Sequence, residues 1–293
     1  MPARELELKE IERVGSISKK EFVANFVKPQ VPVVIENLVG DWPAFEKWNF
    51  DYIRENVGDR VVPLYDDRPV DHKDGFNEPH AKMKMSEYLD LLESEPTRYR
   101  IFLYNVLKET PELQKDFDYP DIGLRLMKSL PMLFFGGEDS YTFMHHDIDL
   151  ANILHFHFVG EKECILYPFD EKKHLYKVPF SLITHESIDF SNPDFEKWPA
   201  LENARGYRTR LKHGQTLYMP EGCWHYMRYI TPGFSMSMRS IARNPKNLSQ
   251  ARYNIFVMRH FDNLMRRVKG QKWIDEKNDR AIRNTNRRLN NQA

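Results

Sequence analysis

Met144-His145-His146-Asp147 is the stretch of sequence that decides the fold. His145 and Asp147 are separated by one residue, so on an extended strand their side chains point to the same face. A distant stretch, Pro220-Glu221-Gly222-Cys223-Trp224-His225, carries a further histidine. If a second strand places His225 beside the first pair, two imidazoles and one carboxylate meet on one side of a metal ion. That set is the facial triad of non-heme Fe(II) oxygenases, which leaves coordination positions open.

The His-x-Asp pattern alone is common by chance, so a metal-free interpretation stays open at this point. The surroundings favour a barrel, because apolar, β-rich segments flank both stretches. A turn pattern, His213-Gly214-Gln215, also precedes the second stretch. The chain between Asp147 and His225 is long enough for several strands of a small barrel.

Length and composition indicate one large domain or one domain with appendages. The chain has 293 residues, of which 41% are hydrophobic and 13% aromatic, which is ample for a core. Lys plus Arg and Asp plus Glu each total 43, so the formal net charge is +0 and no basic excess indicates a nucleic-acid partner. Two cysteines, Cys164 and Cys223, are too few for a disulfide framework. Neither a signal peptide nor a membrane-spanning run is visible, so we expect a cytoplasmic protein.

The chain reads as three successive regions. Residues 1–130 mix short helices with strands, and a capping box of Ser18 and Glu21 begins the first helix. Residues 131–244 hold many short strands separated by turns, which predicts a double-stranded β-helix, or jelly roll. Residues 245–293 read as helical. The predicted fold is therefore mainly β, with an α/β N-terminal portion packed on the barrel and flanking helices.

An apolar stripe marks the C-terminal helical region, which we expect to begin at an N-cap, Ser249. Its members recur at helical spacing and are Ile255, Met258, Phe261, Met265 and Val268. A stripe of this kind fits packing against the barrel and fits a homodimer interface equally well, so both interpretations stay open.

Several motifs together resemble one family, the JmjC or cupin-like hydroxylases, which use Fe(II), 2-oxoglutarate and O₂. They are His145-His146-Asp147, the strand turn 160–168 (Gly-Glu-Lys-Glu-Cys-Ile-Leu-Tyr-Pro), and the run from Gly214 to His225. Pro32-Val33-Val34-Ile35 and the segment 41–48 resemble the family's lead-in. The resemblance spans roughly residues 10–242 and is nearest the asparaginyl-hydroxylase-like branch and its uncharacterised bacterial relatives.

The resemblance implies roles for individual residues. His145, Asp147 and His225 would be the iron ligands and the catalytic centre. Lys162 lies where the family has the lysine that binds 2-oxoglutarate, since a long cation pairs with the distal carboxylate of a diacid. Thr142 matches a hydroxyl that reaches the same carboxylate.

Three further cofactor-binding candidates carry weaker signals: Tyr104, Asn152 and Arg239. Tyr104 is a candidate for the tyrosine that closes the pocket. The segment between His145 and Lys162 is longer than in close relatives, so a bulge or longer turn at 148–151 blurs the register of Asn152. Arg239 is either a second cation for the co-substrate or the partner of an acid.

Two histidines on one strand, His155 and His157, alternate with apolar residues, so we expect both to face the barrel interior. They are either neighbours of the co-substrate or hydrogen-bonded interior residues with no direct role; the second interpretation is favoured.

The resemblance implies an Fe(II)- and 2-oxoglutarate-dependent dioxygenase that hydroxylates a C–H bond, with a protein or peptide side chain as substrate. A small-molecule substrate and demethylation of an N-methyl group are alternatives within that class. Two rivals lie outside it: a metal-dependent cupin isomerase or hydrolase acting on a small molecule, and a non-catalytic cupin binding protein. Lys162 and Thr142 favour the oxygenase, because neither rival needs an anchor for a 2-oxo acid.

Overall fold

The computed structural model describes residues 4–68 and 79–291 of the chain. Its strands in these ranges are β1 Glu7–Glu10, β2 Glu12–Val14, β3 Val33–Ile35, β4 Val61–Leu64, β5 Ala81–Lys84, β6 Arg100–Asn105, β7 Met132–Gly136, β8 Tyr141–His145, β9 Asn152–Val159, β10 Lys162–Tyr167, β11 Arg205–Leu211, β12 Thr216–Met219, β13 Trp224–Tyr229 and β14 Gly233–Ser240.

The helices flank these strands at both ends of the chain. The α-helices are α1 Lys19–Phe22, α2 Pro43–Lys47, α3 Phe50–Val57, α4 Met85–Ser94, α5 Val106–Glu109, α6 Pro245–Tyr253, α7 Arg259–Lys269 and α8 Gln271–Asn290. One π-helical turn, Val23–Val27, continues α1, and another, Asn254–Met258, joins α6 to α7. Short 3₁₀ helices occupy Pro111–Asp116, Phe169–Lys173 and Pro199–Asn203.

Two β-sheets form the core of the fold. One has the strand order β1-β11-β10-β13-β8 and the other the order β2-β3-β12-β9-β14-β7-β6, while β4 and β5 pair separately. The pairs β1–β11 and β2–β3 are parallel, and the central pairs of both sheets are antiparallel. This arrangement confirms the predicted jelly-roll core with flanking helices and a C-terminal helical segment.

An apolar cluster fills part of the space between the two sheets. Met227 and Leu166 come from the first sheet, and Leu217 and Ile153 come from the second. Successive residues of a strand face opposite sides of a sheet. The odd-numbered residues of β9 and β13 therefore point inward, and His155, His157 and His225 share that interior.

The outer face of the larger sheet packs on the N-terminal elements. Trp48 lies 4.8 Å from Phe158 between ring centroids, and Phe22 lies 4.9 Å from Tyr218. The predicted capping box at the start of α1 is confirmed: Ser18 Oγ accepts from the backbone N–H of Glu21, and Glu21 Oε2 accepts from that of Ser18. The N-terminal helices are thereby held against the barrel.

The division of the chain into residues 1–130, 131–244 and 245–293 stays a prediction. Strands β1, β3 and β6 of the first region pair directly with β11, β12 and β7 of the second. The N-terminal region thus extends both barrel sheets as well as packing on them.

The C-terminal helices begin earlier than predicted. The N-cap of α6 is Asn244, whose side chain accepts from the N–H of Lys246 with Pro245 at the first helical position, so the prediction of Ser249 was wrong. Pro favours that position because its missing N–H is not needed there. Buried Asp262 ties α7 to α8 by accepting from Trp273 Nε1 at 2.8 Å and from Lys277 Nζ at 2.6 Å. No helix in the described ranges has the length and apolar character needed to cross a membrane.

Candidate metal centre

The two histidines of the predicted triad lie side by side on neighbouring strands. His145 ends β8 and pairs directly with His225 of β13, with ring centroids 4.0 Å apart. Asp147 follows two residues after His145 on the same side. One ligand atom from each of the three residues lies within 4.8 Å of the other two. The structure therefore brings together side chains that are far apart in sequence.

Backbone carbonyls orient both imidazoles toward a common point. Nδ1 of His145 lies 2.8 Å from the carbonyl oxygen of Phe143, and Nδ1 of His225 lies 3.0 Å from that of Cys223. A carbonyl can only accept, so each Nδ1 must carry the proton. Each Nε2 therefore keeps its lone pair, which is the arrangement found for metal-bound histidines.

The protonation states of the triad suit a divalent cation. Burial, together with the neighbouring His225, lowers the pKa of His145 to about 3, so its imidazole is neutral. Burial opposes ionisation of Asp147, but Arg239 and the adjacent histidines outweigh it and lower the pKa of that carboxyl to about 2. A neutral imidazole and an ionised carboxylate are the forms that bind metal without losing a proton.

Arg239 proves to be the partner of acids, which was one of its two predicted roles. Its Nη2 donates to Asp147 Oδ2 at 2.9 Å and its Nη1 to Asp149 Oδ2 at 3.2 Å. The other oxygen of Asp147, Oδ1, lies 3.8 Å from His145 Nε2. Arg239 thus occupies one carboxylate oxygen and leaves the second directed toward the histidines.

Lys162 is a buried cation on the inner face of β10. The residue is 2% exposed, and its Nζ donates to Ser235 Oγ at 3.0 Å and lies 3.2 Å from His155 Nε2. The same Nζ is 4.1 Å from the ring centroid of Tyr229. Within the described ranges no carboxylate pairs with it, and burial lowers its pKa to about 7. A buried charge without a counter-ion is costly unless an anion joins it.

His155 and His157 face the interior, as predicted, and are hydrogen-bonded there; whether either has a direct role stays open, since His155 also contacts Lys162. Nδ1 of His155 lies 2.7 Å from Ser237 Oγ, and Nδ1 of His157 lies 2.7 Å from Ser235 Oγ. Sequence reasoning did not single out these two serines. Ser235 and Ser237 alternate with apolar residues on β14, four and two positions before Arg239. This alternation is the sequence signal that could have placed them on the inner face.

A β-bulge turns Thr142 to the inner face. Thr142 and His145 are three residues apart, and an odd spacing puts side chains of a regular strand on opposite faces. The register of β8 against β13 shifts between these positions, so His145 lies opposite His225 and Thr142 opposite Met227. An extra residue in one strand changes the face of everything beyond it. Thr142 is thus placed between His145 and Lys162 along the barrel wall.

Tyr104 and Asn152 do not line this site, which corrects both predictions. Tyr104 is buried in the apolar cluster that the larger sheet forms with the N-terminal helices, on its outer face. Asn152 also points outward, where its Nδ2 donates to Glu221 Oε1 at 3.3 Å and its Oδ1 accepts from Tyr218 at 2.8 Å. A turn at residues 147–150 is closed by the N–H of Leu150, which donates to Asp147 O at 3.1 Å, and β9 begins two residues later at Asn152.

The donor set fits a first-row divalent metal with open coordination positions. Two imidazole Nε2 atoms and one carboxylate oxygen converge from one side, and their orienting contacts are all made by this chain's own backbone and by Arg239. Opposite them along the inner wall lies the buried ammonium of Lys162. The arrangement can hold a metal at one end and an anionic group at the other.

Comparison with known proteins gives a family and several relatives. The sequence profile of the Cupin-like domain matches residues 18–267. The chain is similar to "Lysine-specific demethylase JMJ30" of Arabidopsis thaliana, with 30% identity over 243 residues that cover 81% of this chain and 56% of that protein. It is 27% identical over 235 residues to "Lysine-specific demethylase 8" of Xenopus tropicalis, covering 75% and 50% of the two chains.

A third relative carries a different specificity in its name. "Arginine-specific demethylase JMJ22" of Arabidopsis thaliana is 24% identical over 257 residues, which cover 80% of this chain and 46% of that protein. The chain therefore spans about half the length of the curated relatives it matches. The predicted JmjC or cupin-like resemblance is confirmed, whereas the nearer placement in the asparaginyl-hydroxylase-like branch stays a prediction.

Proposed function

Because the chain belongs to the Cupin-like domain family, we propose that it is an Fe(II)- and 2-oxoglutarate-dependent oxygenase. The observation that carries the proposal is Lys162, a buried ammonium with no carboxylate partner in the described ranges, on the same inner wall as a His-Asp-His triad. The distal carboxylate of 2-oxoglutarate would supply the missing counter-ion.

His145, Asp147 and His225 would hold the iron. Lys162 pairs with Tyr229 on β13, four residues from His225, so the lysine backbone lies about 13 Å along the strand from the triad. An extended lysine side chain and a five-carbon diacid together cover this interval. Thr142, between the two positions, would donate its hydroxyl to the same carboxylate.

When bound, iron, 2-oxoglutarate and O₂ would supply the oxidation, in which decarboxylation of 2-oxoglutarate to succinate and CO₂ would accompany insertion of one oxygen atom into a C–H bond of the substrate. The chain's own residues orient the metal ligands and the co-substrate and isolate them from solvent. The carbonyls of Phe143 and Cys223 fix the imidazoles, Arg239 holds the Asp147 carboxylate, and Lys162 sets the direction of the co-substrate.

The proposed substrate is a protein or peptide side chain, hydroxylated at carbon. The relatives named as lysine- or arginine-specific demethylases support a second candidate, demethylation of an N-methyl group. Both outcomes begin with the same oxidation, since hydroxylation of an N-methyl carbon gives a product that releases formaldehyde. The same oxidation therefore serves both outcomes, and the side chain that binds at the site decides whether the product is hydroxylated or demethylated.

The two rival functions require different residues in the barrel interior. A cupin isomerase or hydrolase, like a non-catalytic binding protein, needs no buried cation at the distance where a diacid ends. All three candidate ligands are present, with donor atoms within 4.8 Å of one another. This disfavours a binding protein that has lost its metal site.

Turnover of 2-oxoglutarate tests the proposal. The purified protein with Fe(II), ascorbate and 2-oxoglutarate should produce succinate, and His145→Ala and Lys162→Met should abolish that production. His260→Ala, which changes an exposed histidine of α7, should leave it intact. Incubation of a peptide library followed by mass spectrometry separates the candidates, since hydroxylation adds one oxygen atom and demethylation removes a methylene. Succinate production that persists in His145→Ala would exclude the assigned site.

We also propose that the chain forms a homodimer through α7 in the cytoplasm. Of the predicted apolar stripe, Val268 is 70% exposed, and Leu264, one turn before it, is 57% exposed. Met258 is buried and Phe261 packs on Phe180 and Trp273, so only part of the stripe is available to a partner. Exposed apolar patches of this kind mark interaction surfaces. Sedimentation analysis should show a dimer that Leu264→Asp with Val268→Asp converts to monomer, and a wild-type monomer at micromolar concentration would end this proposal. The two cysteines, both free and buried, agree with a reducing compartment.

A further inference from the structure

A second cavity lies outside the barrel, behind the metal centre. It has a volume of about 320 Å³ and is formed between the segment after β10 and the C-terminal helices. That volume is at the small end of the range for small-molecule sites. Its walls include His146 and Phe169 from the barrel side and Asn284, Thr285 and Arg288 from α8.

The cavity is lined by cations and by no acid. Lys172, Lys177 and Arg288 contribute to its wall, whereas Asp and Glu are absent from its lining. Across the described ranges none of the three takes part in an ion pair. Lys177 Nζ donates only to the carbonyl oxygen of Val178, at 2.9 Å, and Lys172 Nζ lies over the ring of Phe169, 4.1 Å from its centroid. Three cationic side chains therefore line one cavity whose wall holds no acid, and Asp170, which acts on Lys172, is outside that lining.

Nearby charges act on these lysines in both directions. Burial lowers the pKa of Lys172, Asp170 raises it, and Lys246 and Arg288 lower it further. Burial lowers the pKa of Lys177 to about 8, with Lys172 contributing. Like charges close together in a partly desolvated site repel, and an anion bound between them removes that repulsion. Hydroxyl and amide groups of Ser181, Gln250 and Thr285 add neutral hydrogen-bonding capacity.

We propose that this cavity binds a small polyanion, a phosphorylated or polycarboxylate metabolite, on the outer side of the barrel. Lysine and arginine donors around a common point are the usual means of holding such groups. The proposal does not depend on the reaction assigned to the metal centre, because its residues are separate from the triad and from Lys162.

One wall links the cavity to the metal centre. His146 stands between the ligands His145 and Asp147, and its ring points outward, 4.6 Å from Trp224 and 5.4 Å from Phe169 between centroids. Asn254, also in the wall, donates from Nδ2 to the carbonyl oxygen of Ile148 at 3.2 Å. A ligand in the cavity therefore contacts the reverse side of the segment that carries two metal ligands.

Calorimetric titration of the metal-free full chain with pyrophosphate and, separately, with citrate tests the proposal. We expect one saturable site, and the tighter of the two probes identifies a phosphate or a polycarboxylate as the preferred chemistry. Lys172→Gln and Arg288→Gln should each weaken binding roughly tenfold, since each removes a charge-assisted hydrogen bond. Their chain neighbours Lys173 and Arg287, which do not line the cavity, supply matched controls: each, changed to Gln, should alter the affinity less than twofold.

A barrel variant distinguishes this site from the interior. If the anion binds in the outer cavity, Lys162→Gln leaves the affinity for either probe unchanged. Saturable binding lost in Lys162→Gln but kept in Arg288→Gln would overturn the proposal, because the anion would then sit in the barrel. Equal weakening by Arg287→Gln and Arg288→Gln, or no saturable binding of either probe, would overturn it as well.

Discussion

Arg239 Nη2 donates to Oδ2 of Asp147 at 2.9 Å, so the carboxylate of the candidate triad is held from the side away from the histidines. Arg239 is on β14 of the larger sheet, whereas His145 and His225 are on the smaller one. The ion pair therefore ties the two walls of the barrel together at the metal centre. Metal affinity should depend on this contact as well as on the ligands themselves.

Replacing Arg239 with Met should weaken metal binding by roughly 10- to 100-fold, the usual cost of losing a residue that orients a ligand. The Asp147 carboxylate would lose its fixed direction, and Asp149 would lose its partner. Titration of the purified variant with Fe(II) or Co(II) measures the affinity. Arg228→Met is the matched control, because Arg228 pairs with the more exposed Asp139, outside the triad. Equal affinities for the Arg239 variant and wild type would show that the ion pair does not orient Asp147.

Lys162→Met should stabilise the protein without co-substrate while removing its ability to bind 2-oxoglutarate. The buried ammonium has no counter-ion in the described ranges, and replacing buried charge with an apolar side chain of similar volume can stabilise by about 1–4 kcal/mol. The folded-state pKa of about 7 lies below the ordinary 10.5, so the unfolded state binds more protons between these values. Wild-type unfolding free energy should therefore rise with pH across that window, and the rise should be absent in the variant.

Chemical denaturation at several pH values measures both effects, with the exposed Lys212→Met as control. A variant less stable than wild type at pH 7 would mean that Lys162 already has a compensating partner.

Binding of 2-oxoglutarate should draw a proton from solution above pH 7. An anion beside Lys162 favours its charged form and so raises the pKa from about 7. At pH 8 most of the lysine is neutral before binding and charged afterwards, whereas below pH 6 it is charged in both states. Calorimetry of 2-oxoglutarate binding in buffers with different ionisation enthalpies measures the uptake. Lys162→Arg should bind without it, because arginine stays protonated; uptake equal in both proteins would assign the proton to another group.

Asn152→Ala should destabilise the fold without changing the affinity for 2-oxoglutarate. Its amide bridges Glu221 and Tyr218, so the substitution leaves buried groups unsatisfied at a cost of about 1–3 kcal/mol. Thermal unfolding measures the loss, and the KM for 2-oxoglutarate measures the second claim. Tyr104→Phe should leave the KM unchanged, because that side chain lies on the outer face of the larger sheet, away from the triad. A raised KM in Asn152→Ala would place its side chain in the pocket after all.

Local patterns and two-residue spacing were enough to bring the three triad residues together and to predict the jelly roll, whereas Lys162 was named from the family resemblance. The His-x-Asp spacing put both side chains on one face of a strand, and the turn before β13 indicated the second strand. Strand alternation placed His155 and His157 on the inner face. Thr142 was named from resemblance alone, because its odd spacing from His145 is reconciled only by a bulge that tertiary pairing reveals. Asn152 and Tyr104 were misplaced because a one-residue change of register reverses the face of a side chain.

The acids that pair with Arg239 could not be predicted from the sequence, for a different reason. These acids lie 92 and 90 positions away, and only the packing of one sheet on the other decides which charges meet. The N-cap at Asn244 was missed because Ser249, also a favourable capping residue, stood closer to the apolar stripe.

The most direct test of the metal centre is anaerobic titration of Fe(II) into the protein with saturating 2-oxoglutarate, followed by visible absorption. Chelation of the iron by the 2-oxo-acid end should give a weak charge-transfer band in wild type and in His260→Ala. The band should be absent in His225→Ala. A band of equal intensity in His225→Ala, or none in wild-type protein that binds iron, would contradict a His145–Asp147–His225 site that holds iron and 2-oxoglutarate together.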